Sequence, residues 1–493
     1  SVDGLSIVDG TETRTVTNRS GYVIEETVTD IASQIVIEDS FCLEDDLDRF
    51  GRPTVMFFKD GTYWEKTYNC CQLESETDRE GITTTYTYDH LDRLVETTRA
   101  GITIKTVYGY DSDSGDGLVG RTIRSDRIGS DLSVKTLSTD YYDVAGRRIA
   151  TLDALNQVTE YEETILVSDL VETTTTLPDL AEIVETSYPD GAIKEMGGTA
   201  SYPRQVEYGI TADTHDGLSF NATWTKEIFL GPQGETTEYA TTYTDFLGRV
   251  YKVVYPTPDG TGTTTETRYY NDKGQLEKTV DADGVISLYV YDDLGALKDR
   301  VIDMDQDDVV DYDGTDRITR TESTVLNDLT RGDLLRTTTT VWTTNGAQTT
   351  EVVSITNRTV EGDETWQTIY GQTTHSQIAY DGQGGRTETT TSPEGVSTVT
   401  TYTNGRLISQ ITTNPAGETL SSVTYAYDAH GRVLTSTDAR NGATTFAYTD
   451  DDQVYTITAP SSDGVEASQV TTYEYDERGR EKKVTLPDRK SVV

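Results

Sequence analysis

Cysteine, methionine, tryptophan and phenylalanine are nearly missing from this chain of 493 residues, at 3, 3, 4 and 8. Hydrophobic residues make up only 34%. A large Leu/Ala-rich helical protein is excluded. No apolar run approaches about 18 residues, so no membrane-spanning helix is expected. Cys42, Cys70 and Cys71 allow at most one long-range disulfide, from Cys42 to one of the adjacent pair, closing a loop of about 28 residues. Buried unbridged thiols or a reactive thiol are the other readings. With four His, the pair makes no zinc site. Positive charge is also scarce: Lys plus Arg is 41 against 85 Asp plus Glu, a net charge of −44. A polyanion of that size does not seek nucleic acid or anionic lipid; it attracts cations. No signal peptide precedes Ser1 and no Met opens the chain, so these residues are expected to lie inside a longer or processed precursor.

What the chain has is threonine, its commonest residue, with 31 Tyr and 41 Gly. Thr and Tyr suit pleated, half-buried strands. Low hydrophobicity with high charge would favour disorder, but the regular alternation points to ordered β structure. A unit, aromatic-x-Tyr-Asp-x-x-Gly-Arg, also recurs. Its clearest copies carry Tyr425, Tyr427, Asp428, Gly431 and Arg432, then Tyr473, Tyr475, Asp476, Gly479 and Arg480. Tyr86, Tyr88, Asp89 and Arg93 form a third, with Asp92 at the Gly position. Tyr141, Tyr142, Asp143, Gly146 and Arg147 form a fourth. Looser copies begin at Tyr243, Tyr270, Tyr291, Tyr380, Tyr402 and Tyr448. From Tyr380 to Tyr475 the units lie about 21 to 27 residues apart, a solenoid-like period.

Tyr at i and i+2 shares one strand face, and the two rings are expected to stack on the next unit's pair. Asp ends the strand by accepting turn amides. Gly supplies positive φ to the short loop. Arg starts the return strand, where it can pair with a carboxylate or lie over a Tyr ring. The return strand ends at a second turn, as at Asp283-Gly284, Glu394-Gly395, Asn441-Gly442 and Asp463-Gly464. One unit is one antiparallel hairpin. Such hairpins are not stable singly and must stack into a long sheet that coils, closes or splits. The expected fold class is therefore all-β: stacked antiparallel hairpins in a coiled sheet, curled into a hollow shell or open spiral wall.

This spacing resembles the YD repeat of the RHS family. The likeness is strong over 380–488, good over 60–163 and 241–300, and weak over 1–50 and 165–235. The resemblance implies a spiral β-sheet forming a shell, as in bacterial toxin complexes, polymorphic toxins and animal teneurins. In toxin members a self-cleaving core with an Asp-Pro-x-Gly-Leu motif releases a C-terminal effector. This sequence has no Asp-Pro dipeptide, so core and cargo are not expected within it.

The expected division is 1–60, a degenerate β segment; 61–164, YD repeats; 165–240, an irregular insertion or plug holding Trp224 and His215; 241–300, YD repeats; 301–379, an acidic loop and Thr-rich strands; and 380–493, YD repeats. Asp303, Asp305, Asp307 and Asp311 stand at positions 1, 3, 5 and 9 of a calcium-loop spacing. Asp308 takes the usual Gly place and Gly314 the usual Glu place. Asp111 and Asp113 are a weaker calcium candidate. Trp64, Trp224, Trp342 and Trp366 are candidate sugar platforms, with core packing as the alternative reading. His90 and His430 are expected at turn tips. No catalytic motif is visible. The leading expectation is a secreted or cell-surface bacterial β-shell that encapsulates, or binds polysaccharide or cell-surface glycan. It would bind no nucleic acid, would not span a membrane, and would have further domains of its precursor as companions. A polysaccharide lyase using segment 165–235, or the shell of a larger toxin, are the alternatives.

Overall fold

The computed structural model describes residues 9–112, 118–231, 238–342, 350–461 and 468–487. These residues form 38 strands and one short 3-10 turn, Glu44–Asp46. The strands belong to one sheet, and the registered pairs join chain neighbours antiparallel. The expected all-β fold of stacked hairpins is what the chain adopts. No helix among the described residues is long and apolar enough to cross a membrane.

The repeat explains the local geometry. Strands Thr419–Tyr427 and Val433–Asp438 pair with a bulge at Ala426/Tyr427. Between them, Asp428 Oδ1 accepts the N–H groups of His430 and Arg432, each at 2.9 Å. Asp428 Oδ2 accepts Arg432 Nε at 2.7 Å. Gly431 sits at φ 81°, where a Cβ is disfavoured. The same bonds recur at Asp89/Arg93, Asp143/Arg147, Asp245/Arg249 and Asp476/Arg480. Asp92 replaces Gly at φ 61°, a region Asp tolerates. The Arg side-chain hydrogen bond, followed by the turn amides, holds the Asp89 and Asp476 carboxyls down at about 2.

The expected Tyr-on-Tyr stacking between units is corrected. Among the described residues of 380–460 the rings meet guanidinium groups instead. Arg386 lies over Tyr402 at 4.3 Å, Arg406 over Tyr427 at 5.7 Å and Arg432 over Tyr448 at 4.5 Å. The Tyr hydroxyl then donates to the carbonyl just after that Arg: Tyr427 to Leu407 at 2.8 Å and Tyr448 to Val433 at 2.7 Å. Arg249, Tyr270 and Val250 repeat the arrangement. Where Gln replaces Arg, its amide reaches the next turn's Gly carbonyl, as Gln453 does to Gly479 at 2.6 Å. A guanidinium over the face of a ring is attracted by the ring's quadrupole, so each of these Tyr rings is met by a cation.

Segment 165–240 is not an irregular insertion. It contains the strands Val171–Thr176, Glu182–Ser187, Ile193–Gly197, Arg204–His215, Leu218–Phe229 and Tyr239–Thr244. Arg204–His215 and Leu218–Phe229 pair over their full 12 residues. Pro178 and Pro189 stand at the turns between strands, so they end hairpins rather than break them. The expected disulfide is absent: Cys42, Cys70 and Cys71 are free, and the adjacent pair is exposed rather than buried.

The chain divides into two compact units: 1–158 with 323–337 and 354–493, and 159–322 with 338–353. Their cores are small. The first holds Tyr141, Ala150 and Leu152; the second holds Leu288, Val301 and Ile318. Within the first unit, turn tips far apart in sequence meet. Arg386 pairs with Glu80 at 2.7 Å, and Glu80 O accepts Gly384 N–H at 2.8 Å. A Cβ on Gly81 would lie 2.4 Å from Gly382 O. Ser130 N–H donates to Ala429 O at 2.9 Å. Arg127 forks onto Asp452, with both bonds at 2.6 Å. The side-chain contacts of this seam join residues 297 to 325 positions apart.

His430 lies in the seam, buried. Its Nδ1 accepts from Arg127 Nε at 3.4 Å and its Nε2 faces Ser133 Oγ at 2.9 Å. Burial, then Arg127, pushes its pKa below the ordinary imidazole value; Lys135 and Arg432 act the same way, and Asp428 opposes them. The fold thus favours neutral His430. That contribution is complete above about pH 6.5 and is lost as pH falls below it. Protection of the 129–133 and 428–432 amides, corrected for intrinsic exchange, should fall between roughly pH 7.5 and 5.5, and His430→Gln should abolish the difference. A second expectation concerns the repeat. Tyr427→Phe should weaken protection of 419–438 by about 1 kcal/mol. Arg432→Leu should cost more, because it removes the cation paired with Asp428 and one of the two paired with Asp452. Thr424→Ala should change little.

Candidate metal centre

In the second unit, strand Leu297–Asp303 is followed by an acidic loop and strand Arg317–Asp328. Asp299 anchors the loop's base and is fully buried. Its two oxygens take Arg320 at 2.6 and 2.8 Å, and Oδ2 also accepts the Tyr312 hydroxyl at 2.7 Å. Burial alone would raise the Asp299 pKa, but the Arg320 and Tyr312 hydrogen bonds more than reverse it. Arg320 is sandwiched near Tyr312 and Trp342, at 5.5 and 5.0 Å from their rings. Tyr312 therefore ties the loop to the core around Val301 and Ile318.

Two further buried carboxylates shape the loop. Asp303 accepts the Gln306 N–H at 2.7 Å and the Asp308 N–H at 2.9 Å. Asp316 accepts the Met304 and Asp311 N–H groups, both at 3.0 Å. Gln306 and Asp308 take positive φ, 62° and 65°. The bends bring Asp303, Asp305 and Asp316 together, and likewise Asp305, Asp307 and Asp311, with carboxylate oxygens in each group within 4.8 Å. The four expected ligands are divided between the two groups, Asp303 in one and Asp307 and Asp311 in the other, with exposed Asp305 common to both. Asp316 was missed because it falls beyond a twelve-residue calcium frame. Its sequence signal was symmetry, one Asp closing each end of the loop. All these donors are oxygens, which suits a hard cation. The site is a hairpin loop without flanking helices, and Lys278 neutralises Asp308 at 3.0 Å.

The other expected residues lie elsewhere. Asp111 meets the Tyr141 hydroxyl at 3.3 Å, and Asp113 lies outside the described residues. Each Trp packs on protein. Trp64 carries Lys66 at 4.6 Å. The Trp224 ring fills the space that a Cβ on Gly209 would need. Trp342 meets Tyr312 at 5.6 Å. Trp366 stacks on His375 at 4.9 Å, with Arg331 at 4.5 Å. His215 stacks on Tyr251 and Tyr269, and its Nε2 meets Arg268 O at 2.8 Å. Arg124 binds Asp126 and Arg127 binds Asp452. Tyr88, Tyr142 and Tyr475 end their strands just before the Asp turns described above.

A family model described as RHS Repeat matches residues 72–104 and 402–444. In those two segments the chain is similar to RHS repeats. The matched segments hold Asp89 and Arg93, and Asp428 and Arg432, which are the turn and cation of the bonded chain of repeats. No curated protein matches it. Among solved structures, this chain is similar to "TcdB2-TccC3 without hypervariable C-terminal region", at 10% identity over 97% of this chain and 32% of that one, with a TM-score of 0.41. It is also similar to TcdB2-TccC3-TEV, at 12% identity over 96% of this chain and 35% of that one, TM-score 0.30. TcdB2-TccC3 itself matches at 12% identity over 98% and 35%, TM-score 0.25. The chain spans about a third of the length of these structures.

Burial, then Asp307 and Asp311, raises the Asp305 pKa. Without divalent cations the raised value makes ionised Asp305 unfavourable, so the stability deficit of the wild-type chain relative to Asp305→Asn should shrink as pH falls through the folded Asp305 pKa toward about 4. At neutral pH Asp305→Asn should be the more stable of the two. Added calcium should reverse the order, raising the thermal midpoint of the wild-type chain but not of Asp305→Asn. An unchanged wild-type midpoint would count against a cation site.

Proposed function

We propose that this chain is a wall of an extracellular RHS β-shell whose work is to enclose, and that its acidic loop holds calcium. The observation that carries the reading is the seam of the first unit. There the turn tips at 80–133 lie against those at 382–452 through backbone bonds and paired charges. A binding sheet needs one free face, whereas a wall needs its rows of hairpins fastened to each other. Enclosure is preferred to glycan adhesion because protein groups already cover the four Trp rings. It is preferred to a lyase because His215 is held by Tyr251, Tyr269 and a backbone carbonyl. The net charge of −44 keeps such a wall apart from its copies and draws calcium to Asp303, Asp305, Asp307, Asp311 and Asp316. Further segments of the same precursor, or other components of a toxin assembly, are the proposed companions.

Small-angle X-ray scattering tests enclosure. The pair-distance distribution should be that of a wall around solvent, with its maximum displaced to long distances. A filled globular profile would contradict it. Glycan-array binding that is lost in Trp366→Ala would favour adhesion instead.

A further inference from the structure

The hairpin joining strands Tyr63–Tyr68 and Leu73–Thr77 departs from the repeat in a way that the wall does not need. Its turn reads Asn69, Cys70, Cys71, Gln72, with no Gly and one residue fewer before the return strand. The Asn69 N–H donates to Gln72 O at 3.1 Å, whereas in the ordinary turn the Asp89 N–H reaches one residue further, to Arg93 O. Asn69 takes over the aspartate's work: its Oδ1 accepts the N–H groups of Cys71 and Gln72, both at 2.8 Å. Neighbouring turns brace it. Arg52 lies over Tyr68 at 4.1 Å and donates to Asn69 O at 3.1 Å. Gln72 Nε2 donates to Asp92 Oδ1 at 3.1 Å.

This bracing leaves two exposed thiols side by side, with their sulfurs 2.7 Å apart. We propose that Cys70 and Cys71 are a redox-active vicinal dithiol that closes to a disulfide when it meets a low-molecular-weight disulfide. Either sulfur can be the donor in that contact, so either thiol can open the sequence, written here with Cys70 first. The Cys70 thiolate attacks one sulfur of the small disulfide, forming a mixed disulfide and releasing one thiol. Cys71 then loses its proton and attacks the Cys70 sulfur. The Sγ–Sγ bond forms as the second small thiol leaves. Two protein thiols are oxidised, one small disulfide is reduced to two thiols, and both protons go to those products. Closing so short a ring removes little chain entropy. The bond therefore fastens nothing in the fold, and its state follows the surrounding thiol–disulfide ratio. Cys42 is outside the device: it is part-buried, and its thiol is taken up by Leu43 and Asp46 carbonyls at 3.4 and 3.6 Å.

The test is to incubate the full chain with oxidised glutathione, denature it, and count N-ethylmaleimide adducts by intact mass. Reactive thiols should fall from three to one, with the loss of two hydrogens and no retained glutathione. Cys42→Ser should lose its remaining pair in the same way. Cys71→Ser should instead keep one glutathione on Cys70, and Cys70→Ser one on Cys71. Reduced wild type should bind one equivalent of phenylarsine oxide, and neither single variant should. These substitutions are at an exposed turn, and an unchanged thermal midpoint checks their folding. Persistence of three thiols, stable glutathionylation of the wild type, disulfide-linked dimers, or a requirement for Cys42 would each overturn the proposal.

Discussion

One carboxylate per repeat carries the architecture. At Asp428 one oxygen gathers two turn amides, and the other fixes Arg432. The turn then has a definite shape, and the guanidinium a definite direction. That direction places Arg432 over Tyr448, whose hydroxyl closes back on Val433. Each hairpin is thereby oriented by the one before it. Without the aspartate, turn, cation and ring would each have to be ordered separately, at its own cost in conformational entropy.

This arrangement answers the shortage of apolar side chains. Among the described residues 15 hydrophobic residues are buried, too few to hold so many strands by burial alone. Threonine hydroxyls add cross-strand bonds, as between Thr98 and Thr103 at 2.7 Å. Charge-assisted bonds at the turns do the rest, and they are stronger than neutral ones. The acidic loop uses the same device in a deeper setting. Asp303 and Asp316 gather backbone amides as Asp428 does, and the extra carboxylates around Asp305 are surplus to folding.

The turns, the strands and the Asp–Arg pairing were legible in the sequence because each depends on residues within one unit. What lay between units was harder. Tyr at i and i+2 announced the rings, but not the guanidinium that meets each of them. Segment 165–240 looked irregular because its hairpins close with Pro178-Asp179 and Pro189-Asp190 instead of Tyr-Asp. Spacing alone pointed to the acidic loop, but its division into two carboxylate groups, and the place of Asp316 in one of them, needed the loop's closure. The seam was invisible, since nothing near Arg127 in sequence announces Asp452.

The near-constant separation of facing tips has an evolutionary meaning. Glu80 with Arg386, Ser133 with His430, and Lys135 with Asp450 are 306, 297 and 315 positions apart. Losing a single hairpin from the intervening chain would shift every facing pair together, and arginines would meet the wrong neighbours along the whole row. Length change there is confined to loop lengthening that leaves the number of hairpins unaltered, or to gains and losses that restore the match. Such a lineage can vary freely in what its strands say while its count of them stays frozen.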